Sequence, residues 1–313
     1  MSTTAWLSRK TNLSPDIAEF RFETKGAPFE NLEPGAHIDV HLSDGLIRQY
    51  SLCDWAPDGS WVAVAVKRED AGRGGSRAVH ALDEGAVLQI GGPRNHFALK
   101  DRKSPTLLVG GGIGATPILA MGRHLSGQGA DVRLVYLTRS RADAALHDAF
   151  ADLPLGDTYH LHCDDTDGRC DIDALIGSHP VEGDIYVCGP EPMLQAVLDA
   201  GQRLGRPNIH FERFAAVADR LSEPTDSFQV EMQSTGAVYE IGPSQSILEV
   251  LREAKFDVEF GCSEGICGAC MVNVLEGEVD HRDSVLADDE RDQNDYMCIC
   301  VSRAKCGRLK LDL

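Results

Sequence analysis

Cys262-Ser-Glu-Gly-Ile-Cys267-Gly-Ala-Cys270 sets three thiols at the C-x4-C-x2-C spacing of a [2Fe–2S] loop, whose fourth ligand comes from further along the chain. Three thiolates on one tight loop wrap two irons only if the backbone turns sharply, which Gly265 and Gly268 permit. Backbone N–H groups in such a loop can point at the sulfurs and stabilise a negative cluster. A zinc site would present paired C-x2-C units, and only one such pair is present. Downstream, Met297-Cys-Ile-Cys-Val301 offers both Cys298 and Cys300. Alternation along a strand points both thiols to one face, so periodicity leaves the two open. Upstream, Val238-Tyr-Glu-Ile241 reads as a strand and Ser246-Ile-Leu-Glu249 as a capping box opening a helix. Together these predict a β-grasp ferredoxin with a helix across its sheet.

The rest of the 313-residue chain is far larger than that domain. At roughly 100–200 residues per domain, two or three are expected. A hydrophobic share of 42% with 25% charged residues is that of a folded globular protein, which rules out general disorder. The balance of 30 basic against 49 acidic residues, a formal charge of -19, excludes nucleic-acid binding, which needs clustered Lys and Arg. It equally disfavours an anionic membrane surface. Apolar runs such as Trp61 to Val66 are far short of the ~20 residues that span a bilayer. The opening Met1-Ser-Thr-Thr-Ala-Trp-Leu-Ser-Arg-Lys lacks the apolar core of a secretory signal, so a cytoplasmic enzyme is expected. Of ten cysteines, six (Cys262, Cys267, Cys270, Cys298, Cys300, Cys306) crowd the last fifth, as a metal site does in a reducing compartment. The scattered Cys53, Cys163 and Cys170 read as small buried hydrophobes.

The first hundred residues read as short strands: Ala36 to Leu42 alternates, Trp61 to Val66 is β-rich, and Asp44-Gly45 and Asp58-Gly59 supply turns. That pattern suggests an antiparallel barrel. From Pro105 the rhythm becomes strand, Gly-rich turn, helix, strand, with apolar segments at Thr106–Val109, Val132–Leu137, Tyr159–Cys163 and Ile185–Val187. This is a parallel α/β pattern. The polar, proline-bearing Ala218 to Asp226 reads as a linker. The expected domains are therefore 1–102, 103–220 and 227–313. The last carries 17 acidic and 8 basic residues, with Asp280, Asp283, Asp288, Asp289, Glu290 and Asp292 gathered before the fourth ligand, as an electrostatic steering face would be.

Leu107-Leu-Val-Gly110-Gly111-Gly112-Ile113-Gly114-Ala-Thr116-Pro117 runs from a buried strand through a Gly-rich turn into a helix. Glycines let the backbone approach a pyrophosphate, and the helix start offers N–H groups. Thr116 fits as N-cap and Pro117 as first helical residue. Tyr186-Val-Cys188-Gly189-Pro190 would form the second half of the site, with Cys188 at the nicotinamide. After the second strand comes Thr138-Arg139-Ser140-Arg141, in which Ser140 and Arg141 could accept a 2′-phosphate. Arg48-Gln49-Tyr50-Ser51 and Gly74-Gly75-Ser76 supply a cation, an aromatic ring and hydroxyl or N–H donors, the inventory a flavin mononucleotide needs.

In this order the chain resembles phthalate dioxygenase reductase and similar reductases of aromatic-ring and O-demethylating Rieske oxygenases. The likeness runs through Arg48-Gln-Tyr-Ser-Leu52, Val66-Lys67-Arg68, Arg73-Gly-Gly-Ser76, Pro93-Arg-Asn-His-Phe97, Gly110 to Pro117, Cys188-Gly-Pro190, His210-Phe-Glu212, Asp280-His-Arg-Asp283 and Cys300-Val-Ser-Arg-Ala304. It implies an antiparallel flavin-binding β-barrel, a Rossmann-like α/β nicotinamide domain and a C-terminal plant-type [2Fe–2S] ferredoxin domain. It implies FMN rather than FAD, NADH as donor, and Cys262, Cys267, Cys270 and Cys300 as cluster ligands, with Cys298 the alternative.

By the same resemblance, Arg48 holds the flavin phosphate with Gly74, Gly75 and Ser76. Gln49, Tyr50, Ser51, Ala65, Val66 and Lys67 lie along the ring and ribityl chain. Arg139 and Ser140 join the Gly-rich turn in binding the nucleotide. Ser51, Cys188 and Phe214 frame the reacting centre, with Phe214 over the flavin. The implied partner is a Rieske-type oxygenase. A cytochrome P450 partner, or a carrier or redox sensor without turnover, are the alternatives.

Overall fold

The computed structural model describes residues 2–42, 46–72, 74–100, 103–214, 226–286 and 288–313. The turn expected at Asp44-Gly45, Arg73, and the linker from Ala218 to Thr225 lie outside them. The chain divides into two compact units, Met1–Arg213 and Phe214–Leu313.

In the first unit, β1 (Ser2–Asn12), β2 (Ile17–Thr24), β3 (His37–His41), β4 (Ile47–Trp55), β5 (Trp61–Lys67) and β6 (Val87–Arg94) close a barrel in the order β1-β2-β5-β4-β3-β6. All its pairings are antiparallel. Alternation drives Leu7, Phe20, Phe22, Ile38, Leu52, Val64 and Ile90 into a common interior. The expected barrel is present.

Next come β7 (Thr106–Gly111), β8 (Val132–Thr138), β9 (Tyr159–Cys163), β10 (Asp184–Cys188) and β11 (Ile209–Glu212), a parallel sheet in the order β11-β10-β7-β8-β9. Strand order reverses between β7 and β10, and such a switch point opens a crevice beyond the carboxyl ends of the strands. Central β7 is buried at every residue, which is why it reads as an unbroken apolar run. One hydrophobic cluster takes Ile17, Cys53, Ala63 and Ala65 from the barrel together with Ala115, Ile118 and Leu119 from the helix Ala115–Gly127. Barrel and sheet thus share a core, and Cys53 is packing, as its isolation suggests.

In the second unit, β12 (Phe228–Met232), β13 (Val238–Ile241), β14 (Met271–Glu276), β15 (Val279–Asp280), β16 (Tyr296–Cys298), β17 (Arg303–Ala304) and β18 (Arg308–Leu311) build a five-stranded sheet, β13-β12-β18-β14-β16, beside the β15-β17 pair. β12 and β18 run parallel at its centre. The helix Ile247–Glu253 opens on the expected capping box: Ser246 Oγ accepts from the Glu249 N–H at 3.1 Å, and Glu249 Oε2 accepts from the Ser246 N–H at 2.8 Å. Its Ile247, Leu248 and Leu251 pack on Val230, Met232 and Leu309. Among the described residues no helix is long and apolar enough to cross a membrane.

Candidate redox site

The ladder between β4 and β5 runs Trp55↔Val62, Asp54↔Ala63 and Leu52↔Val64, and stops there. Beyond it Arg48–Ser51 and Ala65–Lys67 face each other without pairing across the gap, although β3 and β2 pair their outer sides. Two strand edges that no ladder joins make a slot for a flat, hydrogen-bonding ring. Ala65 and Val66 bury their side chains in the two cores, and the Val66 carbonyl accepts from His80 Nε2 at 2.8 Å, so Ala65 offers the slot only its backbone. Lys67 Nζ is held by Glu69 at 2.8 Å. Tyr50 is half-buried, and burial pushes its phenol above the ordinary value, keeping it neutral.

Arg48 lies across Gly75. A Cβ at Gly75 would meet the Arg48 Cγ and Nε at 2.5 Å, so only glycine lets the guanidinium stem rest there. Gly74 takes φ 91° to start the helix Gly75–His80. Ser76 Oγ accepts the Glu69 N–H at 2.9 Å, which leaves the hydroxyl proton for a phosphate oxygen. Gln49 departs from expectation. Its amide donates to Asp39 Oδ1 at 2.6 Å, beside an Arg94–Asp39 ion pair at 2.7 Å. Alternation turns Gln49 away from Arg48 and Tyr50, so its side chain braces the barrel instead of lining the slot.

The Gly-rich turn and the Cys188-Gly189-Pro190 turn meet backbone to backbone. A Cβ at Gly114 would stand 2.5 Å from the Gly189 N and Cα, and one at Gly111 would strike Met193 and Pro190 at 2.5 and 2.8 Å. Thr116 does not cap the helix. Gly112–Gly114 forms a 3-10 turn that runs straight into Ala115–Gly127, so Thr116 is the second helical residue and Pro117 the third. The Thr116 hydroxyl donates back to the Ile113 carbonyl at 3.1 Å. At the end of β8, Arg139 is exposed, and the Ser140 hydroxyl donates to Asp143 Oδ2 at 2.7 Å. The Arg139 carbonyl accepts the Asp165 N–H at 2.9 Å, which brings the acidic turn Asp164–Asp167 after β9 alongside.

Cys188 ends β10, fully buried, between Gly110 of β7 and Glu212 of β11 in the ladder. Burial raises its thiol well above the ordinary value, and the Glu212 charge adds to this. Glu212 is the residue that sequence reasoning quoted but gave no task. Ser51 Oγ donates to its Oε2 at 3.4 Å, and burial pushes the carboxyl up to about 8. No local signal marks it, because its surroundings arise only where β11 pairs with β10 and Ser51 comes alongside. Phe214 itself is 39% exposed and belongs to the second unit.

In that second unit Cys262, Cys267, Cys270 and Cys300 are all buried around one loop. Gly265 takes φ +69°, and a Cβ there would strike Val301 at 2.5 Å and the Asp283 Cα at 3.0 Å. The Glu264 N–H reaches the Cys262 sulfur at 3.2 Å and the Cys262 N–H the Cys267 sulfur at 3.3 Å. The Cys270 sulfur is the strongest neighbour of both Cys298 and Cys300; Cys300 also lies by the Cys262 sulfur and the Gly265 N–H, and Cys298 by Asp283. Cys262, Cys267, Cys270 and Cys300 are the thiols that would hold a [2Fe–2S] cluster, two to each iron.

Two of the acidic residues expected on a steering face are structural. Asp283 is fully buried and accepts from the Val285 and Leu286 N–H groups at 3.0 and 2.9 Å and from Ser302 Oγ at 3.3 Å. Asp280 binds Arg282 at 2.7 Å. Both clamp the segment behind Gly265, whose carbonyl accepts the Ser284 N–H at 2.7 Å. Glu290 and Asp292 are exposed.

A flavin slot and a nicotinamide crevice in one unit, with a ferredoxin in the other, define a flavin- and iron–sulfur-dependent reductase. The pattern of the oxidoreductase FAD-binding domain matches residues 4–99, and that of the 2Fe-2S iron-sulfur cluster binding domain matches 230–305. Vanillate O-demethylase oxidoreductase of Pseudomonas sp. (strain HR199 / DSM 7063) is 38% identical, with 96% of each chain covered. Phthalate dioxygenase reductase of Burkholderia cepacia is 36% identical over 98% of this chain and 96% of its own. The phthalate dioxygenase reductase structure superposes with a TM-score of 0.72 at 34% identity, covering 100% and 98%. An intact type IV self-sufficient cytochrome P450 monooxygenase superposes at 0.91 with 36% identity; this chain spans 41% of it. The chain belongs to the phthalate dioxygenase reductase family of flavin and [2Fe–2S] oxygenase reductases.

Proposed function

We propose that this protein takes electrons from NADH through FMN and the [2Fe–2S] centre and delivers them to a separate Rieske-type oxygenase. The reading rests most on Ser51 and Glu212, which join the flavin slot of the barrel to the nicotinamide crevice of the sheet. When bound, FMN supplies a two-electron acceptor for hydride and the cluster a one-electron outlet. Everything else is positioning. Arg48, Gly75 and Ser76 would hold the phosphate at one end, and the slot between β4 and β5 would take the ring. The joined glycine turns would admit the pyrophosphate, and Cys188 at the end of β10 would line the nicotinamide end of the crevice. Glu212 keeps its proton near neutral pH, so Ser51 faces a neutral acid instead of a buried charge.

NADH is favoured over NADPH because the Ser140 hydroxyl is already spent on Asp143, and the acidic turn Asp164–Asp167 lies against the Arg139 backbone. Both features disfavour a 2′-phosphate. The test is steady-state reduction of ferricyanide by NADH and NADPH, followed by reduction of a purified Rieske oxygenase. A preference for NADPH, or no transfer to any Rieske partner, would overturn the respective half. The whole-chain likeness to the self-sufficient P450 supports a second reading, a P450 partner. Comparing reduction of a Rieske oxygenase and a P450 by the same preparation separates them.

A further inference from the structure

Strand β11 lies at the edge of the parallel sheet and pairs with β10 alone. Of its two apolar residues only Ile209 packs in a core, while Phe211 is 37% exposed. Apolar packing therefore does little to hold the strand from which Glu212 reaches Ser51. Two polar ties to the two ends of β10 do more. At the start, His210 Nε2 and Asp184 Oδ1 lie 2.9 Å apart. Past the far end, Arg213 Nε donates to both Glu191 carboxylate oxygens, at 3.1 and 3.0 Å. The Arg213 guanidinium also lies over the Phe211 ring, 4.7 Å from its centre, and the side chain is 10% exposed. Glu191 opens the helix Glu191–Arg203 directly after the Cys188-Gly189-Pro190 turn. The Pro190 carbonyl accepts the Met193 and Leu194 N–H groups at 2.9 and 3.0 Å, so helix and turn move as one piece.

We propose that Arg213 is a positioning residue for hydride transfer, locking the end of β11 through Glu191 to the turn that carries Cys188. Alternation sets Phe211 and Arg213 on one side of the chain and Glu212 on the other. Fixing Arg213 thus fixes the backbone from which the Glu212 carboxyl meets Ser51 at 3.4 Å, on the far side from the ion pair. A charged, partly buried pair directs a side chain more firmly than a neutral contact does. The clamp sits at the end of the crevice where Cys188 and Glu212 pair in the ladder, away from the Gly-rich turn. It therefore acts on the geometry of the reacting end and leaves the pyrophosphate end alone. The inference rests on the reading of that crevice as the nicotinamide site.

The experiment uses the full-length holoprotein carrying Arg213→Gln, Glu191→Gln, both together, or Arg213→Lys. Stopped-flow reduction of the flavin over a range of NADH concentrations separates the limiting rate from the Kd. Hydrogen–deuterium exchange over residues 209–213 reads the anchoring of β11 without any turnover. Each glutamine variant is expected to slow the limiting rate about tenfold, the scale of a small misplacement at a reacting centre. The Kd for NADH should stay close to that of the wild type, and the β11 amides should exchange faster. The double variant should be no slower than either single one, because one pair is lost in all three. Arg213→Lys, which keeps the charge, should recover part of the rate. An unchanged limiting rate in both single variants, or a raised Kd with the rate intact, would overturn the inference. A wild type whose flavin NADH does not reduce would instead overturn the functional reading beneath it.

Discussion

Ser51 of β4 and Glu212 of β11, 161 residues apart in sequence, meet at 3.4 Å. The contact joins the barrel and the parallel sheet at the point where their two binding clefts converge. It also favours the ionised form of the carboxyl beside Cys188, against its burial. Burial raises the Glu212 carboxyl, and the Ser51 hydrogen bond draws it part of the way back, to about 8.

This has a signed consequence for stability. Between its ordinary 4.5 and about 8, Glu212 is protonated in the folded chain and ionised in the unfolded one. The folded state then binds more protons, so the stabilisation is full below 4.5 and is lost as pH rises through 8. Urea midpoints measured from pH 5 to 9 should fall for the wild type more steeply than for Glu212→Gln. NADH reduction of the flavin should lose an inflection near pH 8 in the same variant. Parallel pH profiles would assign the proton elsewhere.

Gly114→Ala should damage nucleotide binding while sparing the other centres. Its Cβ would meet Gly189 backbone atoms at 2.5 Å, and backbone yields less readily than a flexible side chain. Overpacking of this kind costs about 1–3 kcal/mol. The expected result is a raised KM for NADH with flavin and iron content unchanged. An unaltered KM would show that the turns can part without consequence.

Arg48→Ala should weaken flavin retention by about 1.5–3 kcal/mol, the scale of a charge-assisted hydrogen bond to phosphate. The cofactor released by heat should co-migrate with FMN. Recovery of FAD would place the dinucleotide's second half somewhere other than the proposed site.

Cys300→Ser should abolish the reduced cluster's EPR signal while NADH still bleaches the flavin. Iron and labile sulfide, about two of each per chain in the wild type, should fall together. A retained native signal would remove Cys300 from the ligand set.

The parts of this site legible in the sequence are those whose partners lie close along the chain. Cys262, Cys267 and Cys270 share one loop, and Ser246 with Glu249 is a three-residue relationship. The strand before Gly110 and the turn after it are contiguous as well. What stayed hidden depends on register or on a long crossing. Glu212 acquires its surroundings only when β11 pairs with β10 and the barrel closes over Ser51. Thr116 was misassigned because a 3-10 turn and a Gly-rich loop have the same sequence signature, yet they start the helix at different residues. Asp283 has the composition of a surface acid and the burial of a core residue; nothing local distinguishes its hydrogen bonds from Val285, Leu286 and Ser302 from those to solvent. Gln49 was carried along with its neighbours although strand alternation sends it the other way.

The central strand of the ferredoxin sheet, β18, is also the last of its strands to leave the ribosome. It fills the gap between β12 and β14, so Val230, Met232 and Val274 have no complete core to enter until Leu311 has been made. Every cluster thiol is synthesised before that moment and waits in an open chain while the earlier unit, Met1–Arg213, can already fold. Iron–sulfur assembly would then follow synthesis of β18, and nascent chains should carry flavin before they carry iron.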